Sequence, residues 1–132
     1  SRVAAVVALV PPTDLTIAVW EAPESLPAYR RFPALELAMD KAEAASPVFD
    51  ASPDDAPSLL IMGGADELVP LAHGERMAEA FEREDVAHKL VVIEGAGHDL
   101  GGEVNLPEVM RESVEWLDLH LNPPPTQLNA DR

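Results

Sequence analysis

The sequence predicts an α/β fold with three layers, a mostly parallel sheet flanked by helices. Three short runs are apolar at nearly every position and each closes on a turn signal, as strands covered on both faces do. Two amphipathic segments of helical period follow the second and third runs, giving the order strand, helix, strand, helix of a layered α/β structure. With 47 % hydrophobic and 25 % charged residues over 132 positions, the chain has the composition of one folded domain and not of a disordered one.

Val3 to Val10 is apolar throughout and stops at Pro11-Pro12, which predicts the first strand. From Thr13 to Pro57 the prolines at 23, 27, 33, 47, 53 and 57 interrupt any regular element, so residues 13–57 read as a lid-like excursion over the sheet with one helix across Ala34 to Ala45. Ser58 to Met62, closed by Gly63-Gly64, is the second strand. Leu71 to Glu84 carries Met77, Ala78, Ala80 and Phe81 on one side and Glu75, Glu79, Glu82 and Arg83 on the other, an amphipathic helix. Lys89 to Ile93, closed by Gly95-Ala96-Gly97, is the third strand. Pro107 to Leu121 is the last helix, with Val109, Met110, Val114, Leu117 and Leu121 as its expected apolar face and Pro107 in the first turn. Asn122-Pro123-Pro124-Pro125 ends it, so the folded domain is expected over 1–121 and a flexible tail over 122–132.

Charge narrows the function classes. Nine Lys and Arg against 24 Asp and Glu leave a formal net charge of −15, which repels phosphate backbones and anionic lipid surfaces and argues against nucleic acid or membrane partners. The absence of cysteine excludes disulfides, thiolate metal sites and a cysteine nucleophile. His73, His88, His98 and His120 show no metal-ligand spacing, and Gly95-Ala96-Gly97 has Leu100 where a dinucleotide fingerprint needs glycine. No metal and no cofactor is expected. No segment approaches the ~20 apolar residues of a membrane span. Val3 to Pro12 lacks the flanks of a signal peptide, so a soluble, cytoplasmic chain is expected over a secreted one. Trp20 and Trp116 read as packing residues.

Sheets of parallel strands gather ligands outside the carboxyl ends of the strands. Two polar residues stand there, each after a strand and a glycine turn: Asp66 in Gly63-Gly64-Ala65-Asp66-Glu67-Leu68-Val69-Pro70, and His98 in Glu94-Gly95-Ala96-Gly97-His98. Taken singly, such an Asp serves a turn or a helix cap and such a His a surface hydrogen bond. Taken together on adjacent strands, the Asp can fix the imidazole's tautomer while the His moves a proton to and from a nucleophile.

These paired motifs resemble the closing half of an α/β-hydrolase of the esterase, lipase or dienelactone-hydrolase type, and are similar to the prolyl-oligopeptidase catalytic domain. Pro11-Pro12-Thr13-Asp14 and the Ser-Pro pairs at 46–47 and 52–53 also resemble segments of these esterases, so the resemblance runs from about Arg2 to Leu121. It implies that the three strands are the last three of an eight-stranded sheet, that Asp66 is the catalytic acid and that His98 is the general base. Met62 stands where many relatives have histidine, a change expected to affect packing. No Gly-x-Ser-x-Gly elbow and no His-Gly-Gly-Gly oxyanion segment occurs, so no nucleophile is assigned; Ser1, Ser25, Ser46, Ser52, Ser58 and Ser113 all lack the glycine flanks.

The resemblance therefore implies the carboxyl-terminal part of a serine hydrolase of esters or related acyl substrates, inactive alone and dependent on a serine from outside the chain. One alternative is a non-catalytic binding or assembly module derived from a hydrolase. Another is part of a serine peptidase of the prolyl-oligopeptidase type. The Val3 to Val10 strand should present a free apolar edge, covered in a homo-oligomer or by a second chain. Trp20, Leu26, Tyr29 and Phe32 are candidates for lining an acyl site, or for plain core packing.

Overall fold

A computed structural model describes residues 2–17 and 39–123. Three parallel strands form one sheet in the order β1 (Val6–Leu9), β2 (Ser58–Gly63), β3 (His88–Ile93). The helices are α1 (Met39–Ala44), α2 (Ala72–Arg83) and α3 (Leu106–Leu121), with single 3-10 turns at Pro47–Phe49 and Gly102–Val104. Val7 pairs with Leu59 and Leu59 with Lys89, so the carboxyl ends of all three strands point the same way. The expected residues of an acyl site, Trp20, Leu26, Tyr29 and Phe32, lie outside the described residues, as do positions 34–38 of the expected first helix and residues 124–132 of the tail.

The middle strand organises both cores. Every residue of β2 is buried, and its side chains alternate between faces. Leu59 and Ile61 join Ile93, Val109 and Trp116 beneath α3, while Leu60 meets Met77, Ala80, Phe81 and Val86 beneath α2. Burying each of the larger side chains is worth about 1.5–3 kcal/mol. Met62 is fully buried with Leu68 and Val69, and its side chain occupies the space that a Cβ on Gly74 would need.

The helix ends have local causes. The α2 helix stops in a Schellman arrangement: Asp85 takes a left-handed φ of 56°, the Val86 amide donates to the Phe81 carbonyl at 2.9 Å, and the Asp85 amide donates to Glu82 at 3.2 Å. The α3 helix starts at Asn105 with Pro in its first turn, where a missing N–H costs nothing. No helix among the described residues is long and apolar enough to cross a membrane.

Two expectations need correction. The first strand pairs over four residues, not eight, and is only partly covered, with Val6, Val7 and Ala8 half-buried and Leu9 49 % exposed; among the described residues it is an edge of the sheet. Val10 then adopts φ 45°, an outlier for a β-branched residue, held there by its amide's bond to the Ile61 carbonyl at 2.8 Å and by packing against the α3-side core. The second correction concerns α3. Its buried face is Val109, Glu112 and Trp116, while Met110, Val114 and Leu121 of the expected apolar face are exposed. Glu112 lies inward because Lys89 of β3 and Arg111 neutralise it; the hydrogen bond from Lys89 is the main reason its carboxyl sits below the usual range, against the opposing pull of desolvation.

Candidate active site

Pairing of β2 with β3 brings the two glycine turns side by side at the carboxyl end of the sheet. The Gly64 amide donates to Ile93 and the Ala65 amide to Ala96, both at 2.9 Å. Gly63 makes this approach possible: a Cβ there would lie 2.3 Å from the Gly97 carbonyl oxygen and 2.5 Å from that of Ala96. Both are backbone atoms that cannot swing aside, so any side chain at 63 must push the histidine-bearing loop away.

The loops deliver the expected pair. His98 Nδ1 is 3.0 Å from Asp66 Oδ2. An ionised carboxylate only accepts, so Nδ1 carries a proton, and in the neutral ring Nε2 then keeps its lone pair. The other carboxylate oxygen, Oδ1, accepts the amides of Leu68 at 2.8 Å and Val69 at 2.9 Å. Asp66 is thus a turn residue and an imidazole partner at once, since α2 begins only at Ala72. Its side chain is 0 % exposed and that of His98 is 40 % exposed, so the acid is sequestered and the ring reaches solvent. A ring held this way by a carboxylate can pass a proton between its free nitrogen and a bound group.

The described serines serve other partners. Ser46 Oγ is buried, donates to the Ala42 carbonyl at 2.6 Å and accepts the Leu15 amide at 2.7 Å. The hydroxyl of Ser52 donates to Asp55 Oδ1, that of Ser58 to the Ala56 carbonyl and that of Ser113 to the Val109 carbonyl. Ser1 and Ser25 lie outside the described residues. Among the described residues no group of three or more His, Cys, Asp or Glu is placed to hold a metal ion.

A second aspartate and histidine meet nearby, and residue types alone did not disclose them. The Asp14 amide donates to His73 Nδ1 at 3.2 Å, and Thr13 Oγ1 donates to the His73 carbonyl at 2.6 Å. Arg76 Nη1 donates to Asp14 Oδ2 at 2.6 Å, and the Thr16 amide and hydroxyl both donate to Asp14 Oδ1. Burial of Asp14 opposes its ionisation, but the bonds from Thr16 and Arg76 outweigh it and hold the carboxyl below its usual range. Burial pushes His73 down, with Arg76 adding to it and the carboxylates of Asp14 and Asp66 opposing. The one available signal in the sequence was position: His73, Met77 and Phe81 fall four apart, on the buried face of α2.

Comparison with known proteins agrees with this fold. The profile of the prolyl oligopeptidase family matches residues 2–124. The chain is 25 % identical to a thermophilic esterase of the Planctomycetes species Thermogutta terrifontis, covering 67 % of this chain and 33 % of that one with a TM-score of 0.55. It superimposes with a TM-score of 0.67 on an acetyl ester-xyloside bifunctional hydrolase of Caldicellulosiruptor lactoaceticus, at 20 % identity over 89 % of this chain and 42 % of that one, a likeness of fold. A non-reducing polyketide synthase, ausA of Aspergillus calidoustus, is 35 % identical over 72 residues, 49 % of this chain and 3 % of that protein. The chain thus spans between a third and a half of the length of the two hydrolases.

Proposed function

We propose that this chain, which belongs to the prolyl oligopeptidase family of α/β-hydrolases, forms the carboxyl-terminal part of a serine hydrolase that acts on esters or related acyl substrates. The observation that carries the proposal is the 3.0 Å bond between the sequestered Asp66 carboxylate and the half-exposed His98 ring. Asp66 holds the proton on Nδ1, so Nε2 takes the proton of a serine hydroxyl as its oxygen attacks the acyl carbon. The imidazolium that forms is stabilised by Asp66, which stays ionised, and Nε2–H then protonates the departing alkoxide. In the second half, Nε2 takes a proton from water, the hydroxide attacks the acyl-enzyme, and the serine recovers its proton as the acid leaves. The serine and the oxyanion-binding amides come from outside these residues, because the sequence has no Gly-x-Ser-x-Gly.

The test is activity with and without the base. The purified chain should hydrolyse a small aryl ester no faster than its His98→Ala variant. In a longer protein carrying a Gly-x-Ser-x-Gly segment ahead of Val3, the same change should cost about 10³-fold or more in kcat. Turnover by the 132-residue chain that His98→Ala abolishes would overturn the claim that the nucleophile lies elsewhere. The family match also supports a peptidase of the prolyl-oligopeptidase type, separated from the esterase by the ratio of peptide-amide to ester turnover in that longer protein. The missing elbow supports a non-catalytic binding or assembly module, which predicts no activity in the longer protein either. In every version the edge of β1 that has no partner among the described residues is covered by a second chain, a second copy or further strands of the same chain; sedimentation of the isolated chain against concentration tests the second copy.

A further inference from the structure

His73 is the most deeply buried titratable ring among the described residues, at 0 % exposure, and it bridges two loops. Its Nδ1 has an amide N–H for a partner, so that nitrogen must be unprotonated; a neutral ring then carries its proton on Nε2. Nε2 is buried and has no hydrogen-bond partner among the described residues. A protonated ring would present N–H at both nitrogens, one of them head-on to the Asp14 amide. The ring's own bond in the clamp between the loop after β1 and the first turn of α2 therefore exists only with a neutral imidazole, whereas the Thr13 hydroxyl on the His73 carbonyl and the Arg76–Asp14 pair join the same elements at either ring charge. That first turn is joined to the acid loop: the His73 amide donates to the Pro70 carbonyl at 3.0 Å, and Pro70 directly follows Val69, whose amide holds Asp66 Oδ1.

We infer that His73 is a positioning residue for Asp66, a clamp that tightens the acid loop against the Thr13–Asp14 segment at neutral pH and loosens it on acidification. The positioning role rests on the reading of Asp66 as a triad acid; the clamp itself does not. The charged groups facing the ring are Asp14 on the loop after β1, Asp66 on the loop after β2 and Arg76 on α2. The two carboxylates favour a protonated ring, whereas burial and Arg76 disfavour it and prevail. Loosening accordingly comes below the ordinary histidine value of 6.5.

Amide hydrogen exchange tests this on the whole chain, as wild type, His73→Gln and His73→Leu. The amides of Asp14, Leu68 and Val69 report the clamp and the acid loop. In the wild type all three protection factors should fall together, about tenfold or more, as pH is lowered from about 7.5 through 6.5 and on below it. His73→Gln, whose side-chain oxygen accepts from Asp14 without titrating, should stay flat over that range, although His88, His98 and His120 remain. His73→Leu should show low protection at every pH. An equal fall in the Gln variant would overturn the assignment to His73, and a fall at Asp14 with Leu68 and Val69 unmoved would overturn the positioning role. Should the Leu variant not fold, the wild type and Gln pair still decides. Failure of the triad reading has a separate signature, a His98 ring whose nitrogen shifts ignore Asp66→Asn, and that result leaves the Asp14 readout standing.

Discussion

Asp66 with His98 and Asp14 with His73 pair the same residue types to opposite ends. In the first couple the side chains bond directly, across 32 positions, and the histidine side chain is 40 % exposed. In the second the ring bonds the aspartate's backbone amide, across 59 positions, and its outer nitrogen is sealed in. A carboxylate partner fixes the tautomer with Nδ1 protonated and makes the ring a base; an amide partner fixes the other tautomer and makes it a structural acceptor. An aspartate beside a histidine is therefore no signature of catalysis. What separates the two is which atom of the aspartate faces the ring and how far the ring is exposed.

The contrast can be broken most forcefully at Gly63. Gly63→Ala should cost about 3 kcal/mol and remove the His98 to Asp66 bond, seen as a lower urea midpoint and loss of that bond by NMR, while the Asp14 to His73 bond survives. A wild-type midpoint would show that the loops yield more easily than their backbone contacts imply. Next in size is Asp66→Ala, which strands the buried amides of Leu68 and Val69 and should cost about 1–3 kcal/mol. His98→Ala, at the half-exposed end of the same bond, should lie within about 0.5 kcal/mol of wild type, so equal losses for the two would contradict the division between a sequestered acid and an accessible base.

A smaller effect separates the couples by pH. Because the folded state holds His73 below its unfolded value, the unfolded chain takes up the proton first. Stability from this group is complete above 6.5 and declines as pH falls from there toward the folded value. His73→Gln should flatten that part of the stability curve, as read from urea midpoints in a series of buffers. The least effect is expected at Met110→Glu on the outer flank of α3, within about 0.5 kcal/mol of wild type. A large loss there would mean that the flank is buried in the isolated chain, against its 53 % exposure.

What the sequence disclosed follows the kind of signal each feature carries. The second strand was legible in full because both its faces are buried and every position is apolar or small. The first was over-read in length, since an apolar run does not say how many of its residues find a partner, and here only Val6–Leu9 pair with β2. The faces of α3 were misassigned because Glu112 counts as polar in any periodicity, whereas Lys89 on a distant strand makes its burial tolerable. Asp66 and His98 could be found because glycine turns after apolar runs place them at the same end of the sheet. His73 and Asp14 could not, because the bond that joins them uses a backbone amide, and every residue except proline has one.

The outer flank of α3 has a consequence for how the chain behaves among its own copies. Leu106, Met110, Val114 and Leu121 recur at helical spacing and each is at least half exposed, on a particle that carries a formal charge of −15. At low ionic strength, like charge keeps these greasy stripes apart before they can touch. At about 0.1 M salt the reach of that repulsion shrinks to about 10 Å, roughly the thickness of a helix, and the stripes come within range of one another. Colloidal stability and conformational stability are thus set by different parts of this molecule: salt that leaves the apolar core intact removes the barrier to clumping.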